Sequence, residues 1–243
     1  MLSNKLRKQI QQLKLKKFRK QYKLFVAEGE KVVLDLLLAK FIPEFLLASK
    51  EFETIEPLKI TTQQMRSITH FSTPSPIMGV FQIPKHTIDS VPNFQLVLDR
   101  IKDPGNLGTI IRTCDWYGLS QIVCSLDCVD CFNPKVVQAT MGSIARVKLH
   151  YVVLESYLKK IEKPIYFADM NGGSINESKC TPEGVLVLGN ESRGISESLY
   201  HIKHQSLTIS KQNQRNGGAE SLNVSVAAAI LLHEFFRSPS IQK

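Results

Sequence analysis

No stretch of this 243-residue chain is apolar for long enough to cross a bilayer. Its longest apolar runs, Val32 to Ala39 and Val224 to Leu232, contain polar residues and fall well short of the roughly 20 residues that a span requires. The chain does not open with the basic, apolar and small-residue segments of a secretory signal. Cysteine is scarce as well: five residues, an odd number without the spacing of a disulfide framework, point to reduced thiols in an intracellular, cytoplasmic setting. No G-x-G-x-x-G follows an apolar strand pattern, which argues against a dinucleotide-binding protein of Rossmann type. The first 23 residues contain no acid at all. What is present, 43% hydrophobic and 22% charged residues, is the composition of a soluble globular protein able to bury one large core or two modest ones.

The missing acids concentrate the net charge of +9 at one end. Lys5, Arg7, Lys8, Lys14, Lys16, Lys17, Arg19, Lys20 and Lys23 fall within the first 23 residues, which leaves 22 basic and 22 acidic residues in the remainder. Such a block is the footprint of a polyanion, and nucleic acid fits better than a membrane because the apolar side of the stretch is thin. Leu2, Leu6, Ile10 and Leu13 recur at helical spacing, so the block is expected to form a basic amphipathic helix with its cations on phosphates. Lys5, Arg7, Lys8, Lys14, Lys16, Lys17, Arg19 and Lys20 are the candidate RNA contacts. Deleting residues 1–20 is then expected to flatten the salt dependence of binding.

Further on, Leu24 to Gly29, Glu44 to Ser49 and Ile77 to Ile83 read as strands, with helices over Glu30 to Lys40 and Thr61 to Thr69, giving a small α/β domain over residues 1–85. Residues 86–94, flanked and interrupted by Pro84 and Pro92, read as a linker. From Gln95 short apolar strands alternate with helices. Strands are expected at Gln95 to Asp99, Gln121 to Ser125, Arg146 to Val152, Pro164 to Met170 and Ser206 to Ser210, and Val185 to Ser196 carries a further buried-strand pattern. The helices are expected at Asn106 to Gly118, Asn133 to Gly142, Glu155 to Lys163 and Ala219 to Phe236. This rhythm predicts a parallel sheet covered on both faces, in a second domain over residues 95–243.

Ligands of parallel sheets bind beyond the carboxyl ends of strands, which singles out two loops, one after Gly189 and one from Lys211 to Glu220. The polar leader Glu220, Ser221 and Asn223 stands at the amino end of the last helix, where unpaired N–H groups favour anions and hydrogen-bonding ligands, or simply take a cap.

Three blocks recur in loops that follow strands: DRIKDPGNLGTIIRT (Asp99 to Thr113), LGNESRGIS (Leu188 to Ser196) and AESLNVSVAAA (Ala219 to Ala229). In this order and spacing they resemble the three motifs of the SpoU/TrmH-type RNA ribose 2'-O-methyltransferases of the SPOUT superfamily. The resemblance covers residues 95 to 237, and FVAEGEKVV (Phe25 to Val33) is similar to the family's small substrate-binding domain. It implies an α/β fold: a trefoil-knotted parallel-sheet methyltransferase domain preceded by a small α/β RNA-binding domain. Since ordinary topology excludes knots, periodicity could not have indicated one. The resemblance also implies a homodimer with its active site near the subunit interface. S-adenosylmethionine would be held by groups at Leu188, Gly189, Ile209, Leu222 and Asn223. Arg112 would be the principal catalytic residue, with Asn106, Glu191, Ser221 and Asn223 shaping the site.

Methyl transfer to a ribose hydroxyl requires alignment of oxygen, carbon and sulfur and removal of a proton from a weakly acidic alcohol. Arg112 lies six residues, less than two helical turns, beyond Asn106, and the expectation is that both approach the same loop end. A guanidinium is an awkward base because it stays protonated, so clamping a substrate phosphate and polarising the hydroxyl is the preferred role. The family usually runs through a Pro and a short loop where this chain has SKQNQRNGG (Ser210 to Gly218).

Three further patterns carry less. Cys124, Cys128 and Cys131 have the C-x3-C-x2-C spacing of an iron–sulfur triplet, yet Cys124 falls inside a strand. His201 and His204 lack a second pair for zinc. Trp116 and Tyr117 read as packing or dimer contacts rather than a base-stacking platform. The expectation is an enzyme that methylates ribosomal RNA, of the large subunit, with no metal. The alternatives are a transfer RNA methyltransferase and a non-catalytic RNA-binding or ribosome-assembly factor on the same fold.

Overall fold

The computed structural model describes residues 2–85, 92–178, 180, 182–211 and 219–237. The elements, in chain order, begin with α1 (Asn4–Gln12), α2 (Lys16–Tyr22), β1 (Leu24–Glu28), α3 (Glu30–Leu38), β2 (Pro43–Ala48), β3 (Leu58–Lys59), α4 (Thr62–Ile68) and β4 (Ile77–Gln82). They continue with β5 (Phe94–Leu98), α5 (Pro104–Trp116), β6 (Gln121–Ser125), α6 (Pro134–Ala139), β7 (Lys148–Val152), α7 (Leu154–Leu158), β8 (Ile165–Ser174), β9 (Gly184–Leu188), β10 (Gln205–Thr208) and α8 (Val224–Phe236). The chain forms two compact units, one of residues 1–85 with 130–146 and the other of residues 86–129 with 147–243. The expected boundary at residue 95 therefore needs one amendment. The segment around α6 folds with the first unit, because Phe132 packs at a tilt on Phe25 of β1 (4.6 Å between ring centroids) and Asp130 pairs with Arg19 at 2.6 Å. Of the expected linker, residues 86–91 lie outside the described residues and Phe94 already belongs to β5.

In the first unit the sheet order is β1-β4-β2-β3, with β4 antiparallel to both neighbours. Ile10, Leu13, Val26, Leu47, Met65 and Met78 form its core, and Leu2 and Leu6 pack against it. The apolar stripe expected of the basic block thus faces inward, but the block is two helices rather than one. The chain leaves α1 at Leu13 and turns extended at Leu15 before α2 begins. The cause is Arg19. Its side chain is only 2% exposed, its Nη1 donates to the carbonyls of Leu13 (2.8 Å) and Lys14 (2.9 Å), and its Nε and Nη2 both reach Asp130. Arg19 is consequently withdrawn from the candidate RNA contacts, since its donors are spent holding the break between the helices. Lys5, Arg7, Lys8, Lys14, Lys16, Lys17 and Lys20 are exposed.

The second unit carries a wholly parallel six-stranded sheet, ordered β10-β8-β9-β5-β6-β7. Its central strands β5 and β9 are buried at every position, which is why they read as unbroken apolar runs. Val97, Val123, Phe167, Val185 and Val187 make the core on one side. Three expected elements differ. The last helix starts at Val224, not Ala219, because Asn223 caps it: its Oδ1 accepts from Ser225 N (2.9 Å) and Oγ (2.6 Å). α7 is only Leu154–Leu158. β8 continues past Met170 to Ser174, with a register shift opposite Ser206 and Leu207 of β10.

The three cysteines of the triplet are free thiols buried in the fold. Cys128 Sγ accepts from Ile101 N–H (3.2 Å), and its thiol is held down to about 7 by hydrogen bonds from Cys124 first, then Ser125 and the backbone, against the opposing effect of burial. Among the described residues no group of three or more His, Cys, Asp or Glu could hold a metal ion. His204 stacks on Phe167 at 4.0 Å and His201 lies 3.5 Å from Glu155.

Candidate active site

Two loops, after β5 and β9, meet the described ends of the segment that follows β10 at the carboxyl ends of these strands. The loop after β5 leaves through Asp99 and Arg100 and enters α5 with Asp103 as its cap, Oδ1 accepting from Asn106 N at 2.8 Å, and Pro104 in the first helical position. The loop after β9 closes on itself: Asn190 N donates to Gly194 O (3.0 Å) and Gly194 N returns to Asn190 O (2.8 Å). Asn190 Oδ1 accepts from Ser192 N and Oγ and from Arg193 N, while its Nδ2 donates to Arg100 O at 3.1 Å. Gly189 permits this closure, since a Cβ there would lie 2.3 Å from Gly194 C and 2.4 Å from Ile195 N, both backbone atoms. Asp99, buried, accepts from Ser196 N (2.8 Å) and Oγ (2.6 Å) and so ties the far end of the same loop to β5.

Asn106 is where the three sequence blocks join. Its Nδ2 donates to Glu191 Oε1 and its Oδ1 accepts from Asn223 Nδ2 at 2.9 Å. One amide therefore links a helix start, a strand-end loop and the cap of α8, with partners 85 and 117 residues away. The amide orients the half-buried Glu191 side chain.

Beside this network is a cavity of about 810 Å³, within the size range of sites for nucleoside-sized ligands. Leu188, Gly189, Glu191, Ile209, Ser221 and Leu222 line it. Of the residues expected to hold cofactor, Asn223 is not in the lining; it acts through Asn106 and through the cap of α8. Asn106 is likewise behind the wall rather than on it. Arg112 is exposed in the middle of α5, six residues and hence roughly 120° around the helix from Asn106, and it does not line the cavity. Arg112 instead shares the exposed face of α5 with Thr109 and Trp116. Tyr117 packs on Phe236 and meets His233 Nδ1 at 3.4 Å through its hydroxyl, whereas Trp116 is 86% exposed. Most of the expected loop Ser210 to Gly218 lies outside the described residues.

Asn190 and Asp99 were not among the expected site residues, although both stand inside the quoted blocks. Short polar residues directly after buried strands were the available signal. Asp169 and Tyr200, in the cavity wall, were not expected either.

The donor set suits S-adenosylmethionine: an apolar slot between Leu188, Ile209 and Leu222 for a nucleoside, with carboxylates at its margin for a cationic ligand. Residues 93–233 match the SpoU rRNA Methylase family, and residues 4–79 match the MRM3-like substrate binding domain. Over 232 residues the chain is 31% identical to the 23S rRNA (guanosine(2553)-2'-O)-methyltransferase RlmP of Bacillus subtilis, spanning 91% of this chain and 92% of that one. A TrmH-family protein from Porphyromonas gingivalis superposes with a TM-score of 0.86 at 33% identity, covering 97% of this chain and 98% of that one. The AdoMet-bound rRNA methyltransferase of Sinorhizobium meliloti superposes with a TM-score of 0.85 at 26% identity, covering 97% and 95% respectively. With this likeness running along nearly the whole chain, the protein belongs to the SpoU rRNA methylase family.

Proposed function

We propose that this chain is an S-adenosylmethionine-dependent methyltransferase that modifies a ribose 2'-hydroxyl of large-subunit ribosomal RNA. The observation that carries the reading is the Asn106 junction, which joins all three sequence blocks beside a nucleoside-sized cavity at the carboxyl ends of parallel strands. The similarity to RlmP, which acts on a guanosine of 23S rRNA, favours the large subunit and a guanosine target. S-adenosylmethionine, when bound, supplies an electrophilic methyl group. Leu188, Gly189, Ile209 and Leu222 would hold it, Glu191 and Ser221 would orient the reacting groups, and Arg112 would clamp a substrate phosphate and polarise the hydroxyl. The trefoil knot of the family accords with two loops, after β9 and β10, lining one cavity.

The test is transfer of labelled methyl from S-adenosylmethionine to RNA of a strain lacking the gene, followed by separation of the RNA classes and nucleoside analysis. Label in 2'-O-methylguanosine of the large-subunit fraction is the expected result; label confined to transfer RNA would overturn the substrate assignment. The reading places the protein in the cytoplasm, to be checked by cell fractionation. Among the described residues no helix is long and apolar enough to cross a membrane.

The exposed basic residues of α1 and α2 are assigned to RNA phosphates. Deleting residues 1–20 is the wrong test, because it would remove Ile10 and Leu13 from the core and Arg19 from its ion pair. Replacing Lys5, Lys8, Lys14, Lys16, Lys17 and Lys20 by Gln leaves the inward face intact. For every phosphate no longer neutralised, the log–log salt slope of RNA binding should fall by about 0.7–0.9. An unchanged slope in the six-fold variant would remove these helices from the interface.

We assign the exposed face of α5 and α8 to a second copy of the chain. Trp116, Val226 and Ile230 leave an apolar surface there, and Arg112 lies on the same exposed face of α5 as Trp116, so a partner would complete the site around it. Sedimentation should report about twice the 27.4 kDa chain mass, reverting to monomer with Val226→Asp. A wild-type monomer at micromolar concentration is the contrary result.

A further inference from the structure

β8 is interrupted in a way that places a carboxylate in the cavity wall. Phe167 pairs with Ser206 of β10, but the next pair along the ladder is Gly173 with Leu207, so Ala168 to Gly172 are extruded opposite a single step of the partner strand. Ordinary bulges insert one residue; five make an excursion. Gly172 lets the excursion rejoin the ladder, since a Cβ there would meet Ser206 C at 2.5 Å and Leu207 N at 2.6 Å. Ala168, Asp169 and Met170 line the cavity on the wall made by β8, apart from the Asn106 junction, and Met170 is 71% exposed at its rim.

Within the excursion Asp169 is fixed from two sides. Oδ1 accepts from Asn171 N at 2.9 Å, an Asx turn, and Oδ2 accepts from Tyr200 Oη at 2.5 Å. Tyr200 is itself held edge-on against Phe167 (5.5 Å) and His204 (5.5 Å). The phenol is pushed up to about 12 by burial first and by its hydrogen bond to, and the charge of, Asp169, so it remains a donor at every working pH. A side chain so anchored presents the remaining lone pairs of a carboxylate in one direction. Glu191, by contrast, is engaged by the Asn106 junction.

We infer that Asp169, held by Tyr200 on the β8 excursion, is a cofactor-binding residue that accepts hydrogen bonds from the polar part of S-adenosylmethionine. The inference rests on the methyltransferase reading above. Two parts of that cofactor offer donors, the ribose diol and the α-ammonium group, and a preorganised carboxylate suits either. Asp169→Asn removes the charge while its amide oxygen can still accept from Asn171 N and its NH2 can still meet Tyr200 Oη, so the excursion keeps its anchors. Asp169→Ser serves if that variant does not fold.

Binding of S-adenosylhomocysteine and of 5'-methylthioadenosine, which lacks the amino-acid part, would be measured by calorimetry on the full chain. Asp169→Asn is expected to weaken S-adenosylhomocysteine binding at least tenfold. An equal loss for 5'-methylthioadenosine identifies the ribose diol as the partner; a loss confined to S-adenosylhomocysteine identifies the ammonium. Wild-type affinity for S-adenosylhomocysteine in a folded Asp169 variant overturns the inference. Failure of the wild-type protein to bind either compound would instead overturn the reading on which it rests.

Discussion

Arg112→Ala is expected to lower methyl transfer by about 10³-fold while changing cofactor affinity by less than about twofold. The split follows from where the side chain stands. Arg112 is exposed on α5, does not line the 810 Å³ cavity and takes no part in the Asn106–Glu191–Asn223 network, so its loss leaves both the pocket and the helix intact. In the proposed role, what it removes is a cation that would meet the RNA only when the reacting ribose is in place. Interactions made only in the transition state act on kcat, and groups that stabilise developing charge or assist proton transfer contribute about 10²–10⁴. The measurement is single-turnover methyl transfer alongside calorimetric S-adenosylhomocysteine binding. Arg112→Lys separates the two roles considered for this residue. A clamp keeps part of its effect as a point charge, without the bidentate grip of a guanidinium, whereas a direct base would be replaced by an amine with a different pH profile. Near-normal turnover in Arg112→Ala would overturn the assignment.

The largest expected effect on stability lies far away in sequence, at Arg19→Ala. This change removes two hydrogen bonds to the carbonyls of Leu13 and Lys14 and leaves Asp130 without its partner at 2.6 Å. Breaking a buried ion pair from one side costs about 3–5 kcal/mol, because the remaining charge stays poorly solvated. Whole domains are stable by only about 5–15 kcal/mol. In a unit of roughly 100 residues, about 4 °C or more of melting temperature is lost per kcal/mol, so calorimetry should show a fall of more than about 10 °C. The neighbouring Lys20→Ala, at an exposed position of the same helix, should move the melting temperature by no more than about 2 °C. Comparable melting temperatures for the two variants would show that Arg19 is held in place without holding anything. The contrast also shows why the basic block cannot be treated as one electrostatic object: one of its cations belongs to the core.

Glu28 illustrates the same division in a short span. Within FVAEGEKVV it reads as one more charge between a strand and a helix, yet it is buried, with its carboxylate accepting from Thr69 Oγ1 (2.6 Å) and His70 N (2.8 Å) at the end of α4. Burial raises its pKa and the two hydrogen bonds partly offset that. The carboxylate and the turn it caps are 41 and 42 positions apart in the chain, and no local periodicity encodes that.

What could be learned from the order of residues alone was whatever depends on near neighbours. The unbroken apolar runs of β5 and β9 announced strands covered on both faces, the run from Thr61 to Thr69 announced the short helix α4, and alternating strands and helices announced the parallel sheet. The three motif blocks marked the loops that line the cavity, because loop chemistry is written in contiguous residues. The tertiary structure decided the rest. It turned Arg19 inward, gave the segment around α6 to the first unit, left Arg112 off the cavity lining, joined Asn106 to Glu191 and Asn223, and extruded Asp169 from β8. Each of these depends on partners tens of residues apart or on a strand register. A side chain's periodicity reports which face it occupies, but its partner across that face is set only when the elements pack.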